Sequence, residues 1–135
     1  MRLAFMGTPG FALPTLRALI ESGAHTLELV VTQPDKQKGR GMKMLPSPVK
    51  EAALAGGLPV IQPERLKNNA EMVDALRRLA LDAVIVVAYG RIIPAEMLAI
   101  PRRGFINVHA SVLPALRGAA PINWAILSGY PATGV

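Results

Sequence analysis

The hydrophobic residues of this chain follow two patterns, short continuous runs and longer segments in which they recur every three or four positions. The clearest run, DAVIVVA at 82–88, is apolar after its first residue, as expected for a parallel strand covered on both faces. Similar runs predict further strands at 2–6, 27–32, 60–61 and 105–110.

The segments between these runs have helical periodicity and recognisable end signals. Leu13, Leu16 and Ile20 fall on one face of a helix over 9–22, and Gly23 is placed to end it. The other predicted helices are 48–55 with Ser47 as its N-cap, a helix that begins at Asn69 and has Met72, Val73, Leu76, Leu79 and Ala80 on its apolar face, 94–99, and 121–128.

Strands that alternate with helices predict right-handed crossovers, so we expect one α/β domain over residues 1–135. Its class is Rossmann-like, an open and mostly parallel sheet of about five strands with flanking helices. The segment 33–46, rich in Gly, Pro and basic residues, is predicted to be an exposed loop. Ligands of such sheets bind at the carboxyl ends of the strands, which singles out the loops at 7–10, 89–94 and 110–121.

The composition restricts the class of protein further. Hydrophobic residues make up 51% of the 135 positions and charged residues 18%, which favours a folded chain over a disordered one. No apolar run approaches the roughly 20 residues of a bilayer span, and the N-terminus lacks the pattern of a signal peptide. Without Cys, the chain has no disulfide, thiolate nucleophile or thiolate metal site. A cytoplasmic enzyme fits these features best.

The net charge of +6 is concentrated in one stretch. No acid lies between residues 36 and 50, and such a block can attract a phosphate backbone or be a solvated loop. Both interpretations stay open at this point. The basic residues of the stretch are Lys36, Lys38, Arg40, Lys43 and Lys50.

The turn Gly7-Thr8-Pro9-Gly10 follows a strand and opens a helix, as a dinucleotide-binding turn does. The match is weak because it has two glycines instead of three, and because Thr32 and Gln33 stand where an acid would bind a ribose hydroxyl. Pro9 also removes a backbone donor that a pyrophosphate would need. A tight strand-to-helix turn is the default interpretation.

The stretch 107–111, NVHAS, carries the clearest chemistry. Side chains alternate along a strand, so Asn107 and His109 are expected on one face, roughly 6–7 Å apart, at the carboxyl end of a strand. An Asn amide can hold a carbonyl oxygen as it becomes an oxyanion, and a His can move protons near neutral pH. This pair suits acyl transfer to an amine, although a structural histidine is an equally open interpretation.

A covalent acyl-enzyme is not favoured. The chain has no Cys, and Ser111 lies in a turn instead of on a strand–turn–helix nucleophile elbow. Direct transfer through a tetrahedral intermediate is therefore expected. His25, at the amino end of the second strand, is interpreted as a surface residue.

Several of these stretches resemble a known family. The motif NVHASVLP at 107–114, followed by RGAAP at 117–121, resembles the long and specific signature of the folate-dependent formyltransferases. Tyr89-Gly90, followed by IIP at 92–94, resembles the pterin-binding loop of that family. The resemblance covers essentially the whole chain from Met1 to Val135.

Within that family the chain resembles the members that formylate methionyl-initiator tRNA. The turn and helix at 7–16, GTPGFALPTL, look like the first turn and helix of those enzymes. The motifs TQPD at 32–35, GRG at 39–41 and PSPVK at 46–50 look like their basic inserted loop, which reaches the acceptor end of the tRNA. Relatives that formylate a nucleotide sugar or a purine precursor generally lack this loop pattern.

The resemblance implies a reaction of translation initiation, formyl transfer from 10-formyltetrahydrofolate to the α-amino group of methionine on initiator tRNA, without a metal. Asn107 would hold the formyl oxygen, and His109 would stabilise the tetrahedral intermediate and move its protons. The implied folate contacts are Ser111, Val112, Leu113 and Pro114 together with Val87, Ala88, Tyr89, Gly90 and Ile92, and the implied tRNA contacts are Lys38, Arg40 and Lys43.

The chain also departs from the family pattern. The third catalytic residue of the family, an Asp, is expected beyond Val135, as is the C-terminal tRNA-binding domain, so residues 1–135 correspond to the N-terminal part of the catalytic domain. Gly10 replaces a frequent Asp, and Ala115-Leu116 replaces a basic–aromatic pair. We therefore expect the 135-residue chain alone to be inactive or weakly active.

Three other functions stay open on the sequence. They are a formyltransferase for another amine, such as a nucleotide sugar, a non-catalytic folate- or nucleotide-binding domain, and a dinucleotide-dependent oxidoreductase.

Overall fold

The structure is a computed structural model that describes residues 1–38 and 42–135, apart from the side chains of Lys38 and Lys43. Within this part, no helix is long and apolar enough to cross a membrane. The strands are β1 (Arg2–Gly7), β2 (Thr26–Val31), β3 (Lys36–Lys38), β4 (Lys43–Leu45), β5 (Val60–Ile61), β6 (Ala83–Val87) and β7 (Phe105–Val108). The helices are α1 (Leu13–Ser22), which follows a 3-10 turn at Gly10–Ala12, α2 (Pro48–Ala55), α3 (Ala70–Arg78), α4 (Ala95–Leu98) and α5 (Pro121–Leu127).

Five of the strands form one parallel sheet in the order β5-β2-β1-β6-β7. The chain builds outward from β1 through β2 and β5, and then crosses to the other side of β1 to build β6 and β7. The predicted Rossmann-like class is therefore confirmed. The change of direction opens a crevice beside the carboxyl ends of β1 and β6, which is where ligands of such sheets bind.

The central strand β1 has no exposed face beyond its first residue. Leu3, Ala4, Phe5 and Met6 are each at most 2% exposed. Because successive side chains of a strand point to opposite faces, β1 supplies both layers of the core. Ala4 and Met6 pack in the layer that contains residues of α3 and α4, and Phe5 packs in the layer that contains residues of α1 and α2.

The helix ends use the signals that the sequence predicts. The Ser47 hydroxyl accepts a hydrogen bond from the Lys50 backbone N–H at 3.1 Å, which caps α2. The Asn69 side chain accepts one from the Met72 backbone N–H at 2.9 Å and caps α3. Gly23, with a φ of 58°, ends α1 in the left-handed conformation that glycine adopts without steric cost.

The segment 33–46 differs from its prediction as an exposed loop. It contains the antiparallel pair β3–β4, in which Lys36 pairs with Leu45 and Gln37 pairs with Met44. Neither strand shows the alternation of apolar and polar residues that marks a half-buried strand, and both Met44 and Leu45 are exposed. The hairpin is built on cross-strand pairing, which the hydrophobic pattern does not reveal.

Strand β7 is shorter than predicted, since it ends at Val108 and not at Ala110. Its partner β6 ends at Val87, and Val87 with Val108 is the last pair of the ladder. Beyond that pair, no row of β6 hydrogen bonds keeps the chain extended. Most other element boundaries agree with the predictions within one or two residues.

Large apolar side chains are exposed on β7 and α5. Ile106 is 52% exposed, Trp124 56% and Leu127 76%. Strand β7 is also an edge of the parallel sheet and carries a row of backbone groups that β6 does not pair. Such a surface promotes association when nothing covers it.

The first prediction concerns Ala80, which follows α3 with a φ of 46° and is exposed. A left-handed conformation costs a residue with a Cβ roughly 1–2 kcal/mol, and glycine avoids that cost. We expect Ala80→Gly to raise the free energy of unfolding by about 0.5–1 kcal/mol in urea denaturation. The matched control is Ala75→Gly inside α3, where the same change should lower that free energy by about 1 kcal/mol. Destabilisation by both changes would contradict the prediction.

Candidate active site

Three segments lie at the carboxyl ends of neighbouring strands. They are the turn after β1, the loop after β6 and the long loop between β7 and α5. Since β6 is paired with β1 on one side and with β7 on the other, the three segments line one edge of the sheet. The sequence-predicted residues at 87–92 and 107–114 are therefore brought to the same edge.

Asn107 lies near the end of β7, opposite Val86 of β6, and it is exposed. An exposed amide keeps its hydration without a protein partner and remains available as a hydrogen-bond donor to a ligand oxygen. Asn107 thus lies near the carboxyl edge of the sheet, as the sequence predicts, and its amide is open to solvent.

His109 follows β7 and is half-buried, and its Nε2 lies 3.1 Å from the Leu116 carbonyl oxygen. A carbonyl oxygen only accepts, so Nε2 carries the proton in this hydrogen bond. In the neutral ring, Nδ1 is then the nitrogen with a free lone pair. His109 is therefore arranged to accept a proton at Nδ1 and not at Nε2.

The loop that positions this carbonyl is held together by Ser111. Its hydroxyl donates to the Ala115 carbonyl oxygen at 2.7 Å, and the Ser111 residue is only 2% exposed. The Ala115 backbone N–H donates in turn to the Val112 carbonyl oxygen at 3.1 Å. Leu116 follows with a φ of 53°, and its carbonyl oxygen accepts the hydrogen bond from His109. Ser111 thus organises the loop through a hydrogen bond that already uses its hydroxyl proton.

The other residues proposed from the sequence in this loop are open to solvent. Val112 is 61% exposed, Leu113 is 56% exposed, and Pro114, which follows a cis peptide bond, is also exposed. They form an apolar surface next to His109 in the chain, which is suited to contact a flat, partly apolar ligand.

The loop after β6 alternates between buried and exposed residues. Val87 and Tyr89 are at most 1% exposed, whereas Ala88 and Gly90 are exposed and Ile92 is 93% exposed. Ala88 and Gly90 have positive φ angles of 47° and 81°, so the backbone is irregular at the end of the strand. Irregular backbone at a strand end can offer N–H and C=O groups to a ligand.

Tyr89 anchors this loop in the core. Burial raises the pKa of its hydroxyl, and the Oη atom has no hydrogen-bond partner among the described residues. Its backbone carbonyl oxygen, by contrast, accepts from two side chains, Gln33 Nε2 at 2.8 Å and Thr8 Oγ1 at 3.2 Å. That carbonyl is consequently engaged inside the protein.

Gln33 and Asp35 join the base of the hairpin to three other elements. Gln62 Nε2, just after β5, donates to the Gln33 carbonyl oxygen at 2.8 Å and to Asp35 Oδ1 at 2.7 Å. Lys50 Nζ, on α2, lies 2.6 Å from Asp35 Oδ2. The hydrogen bonds from Lys50 and Gln62 hold the pKa of Asp35 below its ordinary value of 3.8. These contacts and the bond from Gln33 to Tyr89 are called the hairpin clamp below.

The five basic residues of the 36–50 stretch are not equivalent. Lys50 forms the ion pair of the hairpin clamp, so it is not part of a free basic surface. Lys36 is exposed, and Lys38 stands directly opposite Lys43 in the β3–β4 register. Arg40 lies outside the described residues.

A cleft of about 210 Å³ lies between the turn after β1 and the hairpin. It is smaller than the roughly 300–1,000 Å³ of a typical pocket for a whole ligand, and so fits one side chain or one small group. Its walls are mainly apolar, with one ammonium group, and consist of Thr8, Pro9, Pro34, Lys36, Leu45, Ser47 and Pro48.

The glycine that ends β1 is explained by packing. A Cβ on Gly7 would lie 2.7 Å from Phe5 Cε1 and 3.0 Å from the Val87 carbonyl oxygen. Only glycine allows β1 and β6 to approach at this point. This supports the interpretation of the turn as a tight strand-to-helix connection.

Sequence reasoning missed the role of Gln33 and Gln62. Both are uncharged, and the residues they contact lie far away in the chain, so no spacing signals them. His25 also differs from its interpretation as a surface residue, since it is half-buried and its Nδ1 is shielded without a partner among the described residues. In the same part of the chain, no three His, Asp or Glu side chains are grouped to hold a metal ion.

Comparison with known proteins identifies close relatives of the sequence. The family model described as formyl transferase matches residues 1–135. The methionyl-tRNA formyltransferase of Acidobacterium capsulatum is 60% identical over 134 residues, which are 99% of this chain and 43% of that protein. The methionyl-tRNA formyltransferase of Caldanaerobacter subterraneus is 57% identical over 135 residues, or 100% of this chain and 43% of that protein. The chain thus spans less than half the length of these relatives.

Solved structures share the fold at low sequence identity. The phosphoribosylglycinamide formyltransferase from Bacillus halodurans superposes with a TM-score of 0.76 at 22% identity, covering 98% of this chain and 68% of that one. A formyltetrahydrofolate deformylase from Pseudomonas syringae superposes with a TM-score of 0.70 at 19% identity, covering 95% of this chain and 42% of that one. These similarities support the Rossmann-like architecture.

The second prediction concerns the ion pair of the hairpin clamp. Because the pKa of Asp35 is lowered in the folded state, its ionised form stabilises the fold above pH 3.8, and this contribution is lost as the pH falls through the folded pKa. We expect Asp35→Asn to lower the melting temperature near neutral pH, and the difference from the parent chain to close in strong acid. The control, Asp74→Asn, removes an exposed pair with Arg77 at 3.7 Å and should change little at either pH. A difference for Asp35→Asn that does not depend on pH would contradict the assignment.

Proposed function

Because the chain belongs to the formyl transferase family, we propose that it forms the N-terminal part of an enzyme that transfers a formyl group from 10-formyltetrahydrofolate to methionyl-initiator tRNA. One observation carries the proposal. Relatives named methionyl-tRNA formyltransferase match this chain over essentially its whole length at 53–60% identity. The enzyme would act in translation initiation in the cytoplasm.

The reaction replaces one C–N bond with another. The folate supplies the formyl carbon on its N10 atom. The α-amino nitrogen of the methionyl group attacks that carbon, and the bond from the carbon to N10 breaks after a tetrahedral stage. The amine loses a proton and N10 gains one, so the products are a formylated amine and tetrahydrofolate. The protein must therefore hold an oxyanion and move one proton.

Asn107 and His109 are assigned these two tasks. The exposed Asn107 amide donates to the formyl oxygen as its negative charge grows. His109 donates from Nε2 to the Leu116 carbonyl oxygen, which fixes the ring and leaves Nδ1 to take the proton from the amine. The same atom then returns the proton to the departing nitrogen. The buried Ser111 hydroxyl supports this geometry through the loop and is not assigned as a nucleophile.

The folate is assigned to the surface formed by the loop after β6 and the loop after β7. The irregular backbone at Ala88 and Gly90 offers hydrogen-bonding groups for the pterin, and the exposed Ile92, Val112 and Leu113 offer apolar contacts. Polar backbone beside apolar side chains fits a ring system that is flat and rich in donors and acceptors. The Tyr89 carbonyl oxygen already has two protein donors, so it is not assigned a hydrogen bond to the folate. Tyr89 contributes to the folate site by anchoring the loop in the core through its buried side chain.

The hairpin is assigned to the tRNA. Lys38 and Lys43 occupy directly opposite positions in the β3–β4 register. Like charges at such positions destabilise a strand pair, and a phosphate group would offset that cost. Arg40, between the two strands in the sequence, is assigned the same partner by its resemblance to the inserted loop of the relatives. This basic hairpin favours an RNA acceptor over a small amine such as a nucleotide sugar.

The carboxylate expected as a third catalytic group is assigned to a segment outside these 135 residues. Asp35 is held by Lys50 and Gln62 in the hairpin clamp, and Asp74 is on the surface of α3. Asp82 accepts from the Arg2 backbone N–H at 2.8 Å at the amino ends of the strands, away from His109. We accordingly assign full activity to a longer chain of the length of the relatives.

The third prediction tests the reaction by formyl transfer to methionyl-tRNA. We expect little turnover by the 135-residue chain and full turnover by a chimera in which it replaces the matching stretch of the Acidobacterium capsulatum relative. In the chimera, His109→Ala should lower kcat by about 10²–10⁴-fold and Asn107→Ala by about 10²–10³-fold. The control His25→Ala should retain activity. A chimera that binds folate and transfers no formyl group would instead indicate a non-catalytic domain.

The fourth prediction tests the acceptor. Neutralising Lys38, Arg40 and Lys43 together to Ala should raise KM for methionyl-tRNA and reduce the slope of log(kcat/KM) against log[salt] by roughly 2–3. Turnover with a small amine acceptor should be unchanged. The control changes Arg17, Lys67 and Arg78, three exposed residues outside the hairpin, to Ala. It should leave turnover with both acceptors unchanged. Equal loss with both acceptors after the hairpin substitutions would contradict the role of the hairpin.

A further inference from the structure

We infer that Gln33 is a positioning residue that sets the loop after β6 relative to the hairpin. The effect that we expect on KM rests on the proposed function, since the loop after β6 is assigned to the folate and the hairpin to the tRNA. The structural basis of the inference is independent of that function and lies in the hairpin clamp.

The first observation is the hydrogen bonding of the Tyr89 carbonyl oxygen. Gln33 Nε2 donates to it at 2.8 Å and Thr8 Oγ1 at 3.2 Å, so side chains from two neighbouring strand ends converge on one atom of the loop. The Thr8 hydroxyl oxygen lies 3.4 Å from the Gln33 backbone N–H and completes a small closed network. Both lone pairs of the carbonyl are thereby used, and the peptide between Tyr89 and Gly90 is fixed in orientation.

The second observation is the contact between Gln33 and Gly90. A Cβ on Gly90 would lie 2.6 Å from Gln33 Nε2, closer than real Cβ atoms approach a heavy atom. Gly90 also has a φ of 81°, a conformation that glycine adopts readily. The Gln33 amide therefore lies against the backbone of the loop, and the missing side chain of Gly90 makes room for it.

The third observation is that Gln33 is itself held in place. Gln62 Nε2 donates to its carbonyl oxygen at 2.8 Å and to Asp35 Oδ1 at 2.7 Å, and Lys50 Nζ lies 2.6 Å from Asp35 Oδ2. The donor to Tyr89 thus extends from a backbone segment that is fixed to α2 and to the end of β5. A side chain anchored in this way can set the position of its partner, because its own backbone is restrained.

The position of the clamp gives it a role in the proposed reaction. Thr8 and Pro34 line the cleft on the hairpin side, and Gly90 belongs to the loop assigned to the folate on the other side. Gln33 therefore lies between the hairpin, which is assigned to the tRNA, and the loop after β6, which is assigned to the folate. It acts through the loop and touches neither reacting atom in this assignment.

The kinetic test uses Gln33→Leu in the chimera, which removes the amide and keeps most of the volume. We expect KM for 10-formyltetrahydrofolate to rise roughly 2- to 10-fold, in keeping with one lost hydrogen bond, with a smaller change in kcat. The control, Asn69→Ala, removes the cap of α3 and lowers thermal stability while leaving KM unchanged. An unchanged KM in Gln33→Leu, or an equal rise in Asn69→Ala, would overturn the positioning role.

A second test needs no turnover and uses the 135-residue chain. Gly90→Ala should destabilise the fold in two ways, through the left-handed φ and through the contact of the new Cβ with Gln33. When Gln33→Ala is also present, that contact is absent and only the cost of the left-handed φ remains. The double variant should therefore lose less stability in urea than the sum of the single variants. Amide hydrogen exchange at Gly90 and Arg91 should also be faster in Gln33→Ala. Additive losses with unchanged exchange would overturn the inference.

The two tests separate the two levels of the proposal. If the parent chimera forms no formylated product, the proposed function fails, and the stability cycle still decides whether Gln33 positions the loop. If the parent chimera is active and the cycle is additive with unchanged amide exchange, the function stands and the role of Gln33 falls.

Discussion

The parallel pairing of β1 with β2 on one side and β6 on the other is the constraint on which the rest of the structure depends. Residues 3–6 are buried on both faces, so β1 can lie only in the middle of the sheet. The chain must then leave β1 in one direction and return on the other side, which opens the crevice at its carboxyl end. Gly7 allows the two strands to meet there, because a Cβ would contact both Phe5 and the Val87 carbonyl oxygen. The fold and the location of the site thus have one origin.

Much of this fold is predictable from local signals, because those signals and the tertiary packing agree. The apolar run of β6 and the caps Ser47 and Asn69 each specify an element without reference to the rest of the chain. The hairpin β3–β4 and the end of β7 are not predictable in this way. The first depends on pairing between strands that lack apolar alternation, and the second depends on where the neighbouring strand ends.

The location of the candidate residues on the sheet is predictable from the sequence, and their atomic contacts are much less so. The pair Asn107 and His109 indicates acyl transfer chemistry from the sequence, and the structure brings both to the carboxyl edge. Which nitrogen of His109 carries the proton is set by the Leu116 carbonyl group, in a turn whose geometry no motif reveals. Likewise, Lys50 belongs by sequence to the basic stretch, and only the structure shows it paired with Asp35. Long-range hydrogen bonds therefore decide what the local pattern leaves open.

The placement of Trp124 gives the molecule a built-in optical reporter. It is the single tryptophan of the chain, lies on α5 directly after the long loop of the site, and is 56% exposed. An indole that is half in water emits at long wavelength and is readily quenched by solutes, and covering it would shift the emission to the blue. Fluorescence from this one side chain therefore reports directly whether the apolar surface of α5 is bare or covered.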